Sequence, residues 1–338
     1  MQYLRTKVYQ EDLVTAIEHT MDFAAFHRKS ILILGATGLI GTFLTDCFLY
    51  ANVNLNAGIS IYAVSRNKKS LIKRFGVQEN LYFVEADVTT IHLAAVKDIS
   101  FDYIIHAASY GHPKAFREKP VEVLLSNVVG IQKVLELARE YSKCRVLYVS
   151  SGEVQEQIEH LSVRACYPIG KKAAETLCLS YIQEYGSDVV IARPSHTFGA
   201  SIMEHDNRAV AQFLAAAAAN TDIRMYSAGE QTRSFSYVAD CVSGLLTILA
   251  CGKCGEVYGI SAGEECTVRE FAGKCAVAGG CVVRIEIPTE AEKSEASPIA
   301  KQIVDNTDLK ELGWKPAFSI ECGIRRAIQI LRSNREKK

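Results

Sequence analysis

The chain has 338 residues, 49% of them hydrophobic, and its 38 basic and 38 acidic side chains cancel to a formal charge of zero, with a pI near 7.1. A chain of this length buries a large core, and a balanced charge excludes electrostatic wrapping of nucleic acid. An anionic ligand must therefore be held by arginines gathered at one place.

Residues 1–29 read as a helical extension. Glu11, Asp12, Glu18 and Asp22 interrupt its basic residues, so the continuous apolar core of a secretory signal is missing and a cytoplasmic chain is expected. Val8 to Phe26 has the pattern of an amphipathic helix, suited to packing or to oligomer contact. Ser30-Ile-Leu-Ile-Leu34 is the short apolar run of a buried parallel strand, and Thr42 to Tyr50 reads as a helix. Ile31 to Ala51 is the most apolar stretch, but its glycines, threonines and Asp46 fit this strand–turn–helix unit better than a membrane span. Ala215 to Ala219 is too short to span anything.

The turn itself is Gly35-Ala-Thr-Gly38-Leu-Ile-Gly41. Gly35 can take backbone angles closed to other residues, and Gly41 lets the helix pack close to the strand. The helix amides then face a pyrophosphate, which makes Gly35, Thr37, Gly38, Leu39, Ile40 and Gly41 a dinucleotide site. The second strand, Ile59 to Val64, ends in Ser65-Arg66-Asn67, where an NAD site usually has an acid to hold the ribose 2′-hydroxyl. Serine and arginine suit a 2′-phosphate, so NAD(P) is expected with NADP slightly favoured over NAD.

Cys144 to Ser150 is a strand pattern that ends in Ser151-Gly-Glu153, and Tyr167-Pro-Ile-Gly-Lys171 opens a helical segment running to Tyr185. Tyr167 and Lys171 are four residues apart and share a helical face. With an oxidised nicotinamide nearby, the Lys171 ammonium would favour the Tyr167 phenolate, a general base for a substrate hydroxyl. Ser151, at the carboxyl end of a strand, would hydrogen-bond the same oxygen. Glu153 is either a base at an adjacent carbon or an anchor for loop amides.

Strand and helix patterns alternate from Ile31 to about Val190, which implies a mainly parallel sheet covered on both faces. The fold class is α/β: a Rossmann-type doubly wound parallel sheet in residues 30–197, with a smaller substrate-binding lobe mainly in 198–338. Segments Phe198–Gln212, Ile223–Tyr237 and Cys254–Ser319 would build that lobe, interleaved with returns to the main sheet. The 11 cysteines have no disulfide framework to serve in so large a core, and Cys251-Gly-Lys-Cys254 lacks a second close pair, so no metal is expected.

The chain resembles the extended short-chain dehydrogenase/reductase family, in its NAD-dependent epimerase/dehydratase branch acting on nucleotide-diphosphate sugars. The pieces that carry the likeness run from about Ile31 to about Leu331. They are the glycine turn, Asp87-Val88, His106-Ala-Ala-Ser109, Ser126-Asn-Val-Val-Gly130, the Ser151, Tyr167 and Lys171 set, Ala192-Arg-Pro-Ser-His-Thr-Phe-Gly199, Gln231 to Asp240, and Lys310-Glu-Leu-Gly-Trp-Lys-Pro316. The resemblance implies cofactor contacts from Asp87, Val88, Ala107, Ala108, Ser109, Asn127 and Pro194. It implies substrate contacts from His112, His196, Arg208 and Arg233, with His196 in place of a common asparagine. It also implies a homodimer through helices at Val121–Tyr141 and Pro168–Tyr185.

Ala108 to Phe116 and Arg164 to Lys171 look most like UDP-glucuronate decarboxylases, and dTDP-glucose 4,6-dehydratase-like members are also similar. Gly152 departs from both, where decarboxylases carry serine and dehydratases aspartate, and Phe116 replaces a tyrosine of the decarboxylase pattern. The expected reaction is epimerisation or dehydration of a nucleotide-diphosphate sugar through transient oxidation at C4. The alternatives are decarboxylation of a nucleotide uronic acid, or an NADPH-dependent reduction of a smaller carbonyl compound.

Overall fold

A computed structural model describes residues 6–90, 96, 99–141, 143–155, 162–201, 206–288 and 299–335. Parts of two expected lobe segments, 202–205 and 289–298, lie outside the described residues. The main sheet contains β1 (Ser30–Leu34), β2 (Ser60–Ser65), β3 (Leu81–Glu85), β4 (Tyr103–His106), β5 (Arg145–Val149) and β6 (Asp188–Pro194). A later strand, β10 (Val257–Ile260), joins beside β6, giving the order β10-β6-β5-β4-β1-β2-β3 with every pair parallel. Between β1 and β4 the order reverses, and ligands of doubly wound sheets bind at such a switch point. Ile31, Leu32, Ile33 and Leu34 are fully buried, because helices cover both faces of β1 and leave no side to water.

On those faces lie α2 (Leu39–Leu55), α3 (Lys68–Phe75), α4 (Pro113–Glu118), α5 (Pro120–Arg139), α6 (Cys166–Tyr185) and α8 (Val238–Cys251). The smaller lobe has a sheet of β7 (His196–Phe198), β9 (Thr232–Tyr237), β11 (Glu265–Thr267) and β13 (Lys301–Gln302). Beside it, β8 (Ile223–Met225) pairs with β12 (Val283–Ile285), and α7 (Ala209–Ala218) packs on α9 (Val268–Gly279). A capping box, Thr267 with Glu270, starts α9. After α10 (Thr307–Glu311), the buried Trp314 indole donates to Ser243 Oγ at 2.9 Å, and the last helix, α11 (Ile320–Arg335), closes the lobe. Asp240 accepts the amides of Ala317 and Phe318 at 2.7 and 3.1 Å and so pins this tail to α8.

The amino-terminal helix, α1, is shorter than the periodicity predicts. It covers Lys7–Glu18 only, and Phe23–Phe26 forms a separate 3-10 turn after Asp22 enters the left-handed region at φ 54°. The apolar spacing was satisfied anyway, since Phe26 packs edge-on to Phe48 at 5.6 Å between ring centres. Packing also explains the extension as a whole. Tyr9 donates to buried Asp46 at 2.6 Å, and Asp12 accepts from the Tyr237 hydroxyl at 2.6 Å and from Arg326 Nε at 2.5 Å. Helix α1 thus ties α2 of the main domain to β9 and α11 of the lobe. Burial pushes the Asp12 carboxyl up to about 6 against the opposing pull of Tyr237 and Arg326. Among the described residues, no helix is long and apolar enough to cross a membrane.

Replacing Asp12 by alanine would leave the Tyr237 hydroxyl without its acceptor and remove one of two carboxylates from Arg326, whose side chain is 22% exposed and keeps Glu11 and Val8 O. The expected loss is about 2 kcal/mol, below the usual cost of breaking a fully buried pair because Arg326 keeps some water. Urea unfolding at neutral pH, with an unchanged slope and a lower midpoint, checks it.

Candidate active site

The glycine turn lies at the carboxyl edge of β1, against the end of β4. Gly35 has φ +86°, and a Cβ there would stand 2.7 Å from the carbonyl carbon and oxygen of Ala107. A Cβ on Gly41 would lie 2.2 Å from the Gly35 carbonyl oxygen, so the α2 amino terminus can close on the turn only without a side chain at that position. Above Gly38 the space is open apart from the Gly35 oxygen at 3.4 Å. Helix α2 has no side-chain cap, which leaves its first amides directed at this space. Along the same edge, Ser109 Oγ is buried without a partner, as are both ring nitrogens of His106. This cradle fits a nicotinamide dinucleotide: it offers bare backbone at its glycines, uncapped amides at the start of α2 and the unpaired Ser109 hydroxyl on the same edge.

Ser65 ends β2 and Arg66 follows it, and the Arg66 guanidinium lies 4.9 Å from the centre of the Tyr110 ring while bonding its hydroxyl. Glu122 accepts from that hydroxyl at 2.7 Å. Asp87 is tied to Thr89 through its amide at 2.8 Å and hydroxyl at 2.6 Å, beside Val88. Asn127, fully buried on α5, donates to Val123 O at 2.7 Å and packs against Gly170 of α6.

The residues expected to transfer the proton sit where β5 meets α6. Tyr167 and Lys171 share one helical face, and both are buried. Burial pushes the Tyr167 phenol up to about 12, the Glu153 charge adds to this, and the hydrogen bond with Ser151 opposes it. The Lys171 ammonium donates to Val149 O at 2.7 Å and stands 5.9 Å from the centre of the Tyr167 ring. Burial pulls Lys171 down to about 7, partly offset by the charge of Glu175. Without a cofactor the site therefore holds a neutral phenol. A second positive charge beside it, which an oxidised nicotinamide brings, lowers the phenol toward a working base.

Several neighbours of this group were not expected as site residues. Phe116 stacks on Tyr167 at 4.8 Å and fixes the ring plane. Arg164 bridges to Glu153 at 3.0 Å and lies 5.0 Å over the Phe116 ring. Arg193 grips Glu175 with two bonds of 2.9 and 2.6 Å, and Ser150 Oγ donates to the same carboxylate at 2.5 Å. Glu175 lies four residues beyond Lys171, and that spacing was a detectable clue to its role under the ammonium. Arg164 and Phe116 meet Glu153 and Tyr167 only through the tertiary fold.

The remaining expected contacts gather on the lobe side. His196, on β7, meets Phe235 edge-on at 5.9 Å, and burial together with the charges of Arg233, Arg208 and Arg164 pushes it down to about 3. It is a neutral imidazole. Arg208 is gripped by Asp206 at 2.6 to 3.1 Å and reaches Thr197 O at 3.3 Å. His112 caps α4 by accepting the Ala115 amide at 3.3 Å, and burial lowers its titration while Asp206 opposes. Arg233 is buried and bonds the carbonyls of Thr232, Ala300 and Ile299 at 2.6 to 3.3 Å. Its charge reaches His196, and its bonds to Ile299 and Ala300 tie β9 to the segment before β13. Pro194 ends β6, and its carbonyl oxygen lies 3.6 Å from where a Cβ on Gly152 would be.

A glycine turn at the switch point of a doubly wound sheet, with a serine, tyrosine and lysine beside it, defines a dinucleotide-dependent site for moving a proton and a hydride. The chain belongs to the NAD dependent epimerase/dehydratase family, whose model matches residues 31–261. Among curated proteins it is 28% identical over 321 residues to UDP-glucuronic acid decarboxylase 1 of Danio rerio, covering 89% of this chain and 72% of that one. It is 29% identical over 310 residues to UDP-glucuronic acid decarboxylase 5 of Arabidopsis thaliana, covering 87% and 86%. In fold it is similar to an epimerase of Methanothermobacter thermautotrophicus, with TM-score 0.79, 21% identity and 98% and 97% of the chains covered. The UDP-glucuronic acid 4-epimerase of Bacillus cereus, solved with UDP-glucuronic acid and NAD, gives TM-score 0.75 at 18% identity, covering 90% and 99%.

The depressed lysine has a readable consequence for stability. Between pH 7 and 10.5 the unfolded Lys171 binds a proton that the folded residue has released, so stability of the cofactor-free protein rises with pH through that window. The contribution is at most about 1.4 kcal/mol per pH unit. Lys171→Met should flatten this rise, as measured by urea midpoints at pH 7 and 9.

Proposed function

We propose that the protein acts on a nucleotide-diphosphate sugar, oxidising the C4 hydroxyl transiently with a retained NAD(P) and reducing the ketone again after a change at the sugar. The observation that carries this reading is the convergence of Ser151, Tyr167 and Lys171 at the mouth of the dinucleotide cradle. The charges of Arg208 and Arg164 reach both Tyr167 and the neutral imidazole of His196. When bound, the nicotinamide supplies the hydride acceptor and then the donor. Ser151 orients the sugar oxygen by a hydrogen bond, and Tyr167 takes its proton as the ketone forms. Lys171, held on Val149 O, favours the phenolate, and Phe116 keeps the ring from turning. Return of the hydride to the carbon and of a proton from Tyr167 to the oxygen would complete the cycle, so no external reductant would be consumed.

Epimerisation is the outcome the site supports best. A 4,6-dehydration needs an acid placed for the leaving hydroxyl, and position 152 has no room for one: a Cβ there would stand 2.5 Å from Val304 Cγ2. Decarboxylation of a nucleotide uronic acid is the second reading, favoured by the names of the curated relatives and by Glu153 beside the phenol. Arg208 and Arg233 are taken to serve the diphosphate, with His112 and His196 at the sugar. For the cofactor, Ser65 and the 57% exposed Arg66 side chain suit a 2′-phosphate, and the reading is NADP in preference to NAD. A homodimer through α5 and α6 accounts for Val121, Leu125 and Leu179, which are 68, 43 and 45% exposed. A cytoplasmic setting supplies both nucleotide sugars and dinucleotide.

Incubation with UDP- and dTDP-sugars, including UDP-glucuronic acid, without added cofactor tests the reaction by mass and proton NMR. Inverted stereochemistry at constant mass is expected, loss of carbon dioxide selects the second reading, and dependence on NADPH in every turnover indicates a reductase. Tyr167→Phe should cut turnover about a thousandfold while leaving the thermal midpoint within a few degrees, the scale of one lost acid–base group. Light scattering should give twice the monomer mass, and a monomer at working concentration removes the dimer.

A further inference from the structure

Among the described residues, one polar side chain beside the reacting turn has no use in the protein itself. Gln302, on β13, is 8% exposed, and its Oε1 is buried without a hydrogen-bond partner. Its amide nitrogen stands 3.4 Å from where a Cβ on Gly152 would lie. Gly152 separates Ser151 from Glu153, so the amide borders the space between the group that orients the reacting oxygen and the nearest carboxylate. The strand register sets Gln302 beside Arg233. From these observations we infer that Gln302 is a substrate-binding residue that hydrogen-bonds a polar substituent of the sugar ring, in place of a side chain at position 152.

The reason lies in how the space is shared. Val304, two residues further along the same segment, fills the position a Cβ on Gly152 would need, with 2.5 Å between them. Any side chain at 152 collides with it, and the turn must be bare. The polar function is supplied from across the cleft by the lobe instead. A primary amide both donates and accepts, and its terminal torsion is soft, so either edge can meet a sugar hydroxyl or a carboxylate oxygen. Leaving that amide unpaired costs stability in the free protein, and a ligand that pairs it recovers the cost on binding. The burial of Gln302 beside the catalytic turn is explained by this function and by no bond within the fold.

This inference rests on the nucleotide-sugar reading, and its test separates the two. Calorimetry on the cofactor-loaded protein compares UDP and dTDP with their glucose and glucuronic acid conjugates, for wild type and Gln302→Leu. In Gln302→Leu the better conjugate should lose about tenfold in affinity, the scale of one hydrogen bond, while the bare nucleotide binds as before. The thermal midpoint should stay level or rise, because an unpaired buried amide has been replaced by an apolar group of similar size. Equal affinity of Gln302→Leu and wild type for every conjugate overturns the inference and leaves the reading intact. So does a parallel loss for nucleotide and conjugate with a lowered midpoint, which marks a structural amide. Binding of neither nucleotide removes the reading and the inference together.

Discussion

A buried phenol and a buried ammonium on one turn of α6 form the constraint on which the rest of the structure depends. Neither group is comfortable there: burial drives Tyr167 up to about 12 and Lys171 down to about 7. Burial thus disfavours the charged form of both groups, and further positive charge beside Tyr167 would favour its phenolate. Around this pair the protein spends its strongest polar contacts. Val149 O receives the ammonium, Glu175 lies beneath it, and Arg193 and Ser150 fix Glu175 in turn.

The two lobes meet around that pair, and their connections are specific. Helix α1 reaches α2 through Tyr9 and Asp46, and reaches β9 and α11 through Asp12. On the other side, Arg233 joins β9 to the carbonyls before β13, which carries Gln302 to the edge of the catalytic turn. An element that looks appended in the sequence is therefore part of the frame that sets the cleft. The substrate side combines arginine charge, a neutral imidazole and an unpaired amide, which suits an anionic ligand with a hydroxylated ring.

Much of this was legible in the sequence because it depends on local rules. The apolar run of β1 needs two covered faces, a Cβ on Gly35 or Gly41 would meet backbone at 2.7 or 2.2 Å, and a four-residue interval puts Tyr167 and Lys171 on one helical face. The end of the amino-terminal helix was not legible, since hydrophobic spacing persisted through Phe23 and Phe26 after the backbone had turned at Asp22. Arg164, Phe116 and Gln302 were not legible as site residues either. They lie 11, 37 and 149 positions from Glu153 in the chain, and only the packing of α4, the approach to α6 and β13 brings them together.

By itself, then, the sequence determined the α/β alternation, the glycine turn after β1 and the common helical face of Tyr167 and Lys171, because strand burial, glycine conformation and helical periodicity act over a few residues. The tertiary structure alone decided which charges surround Tyr167, why position 152 must be bare, and what the lobe presents to a sugar. Electrostatics and steric exclusion act through space between segments distant in the chain, and their sign depends on burial that no local pattern encodes.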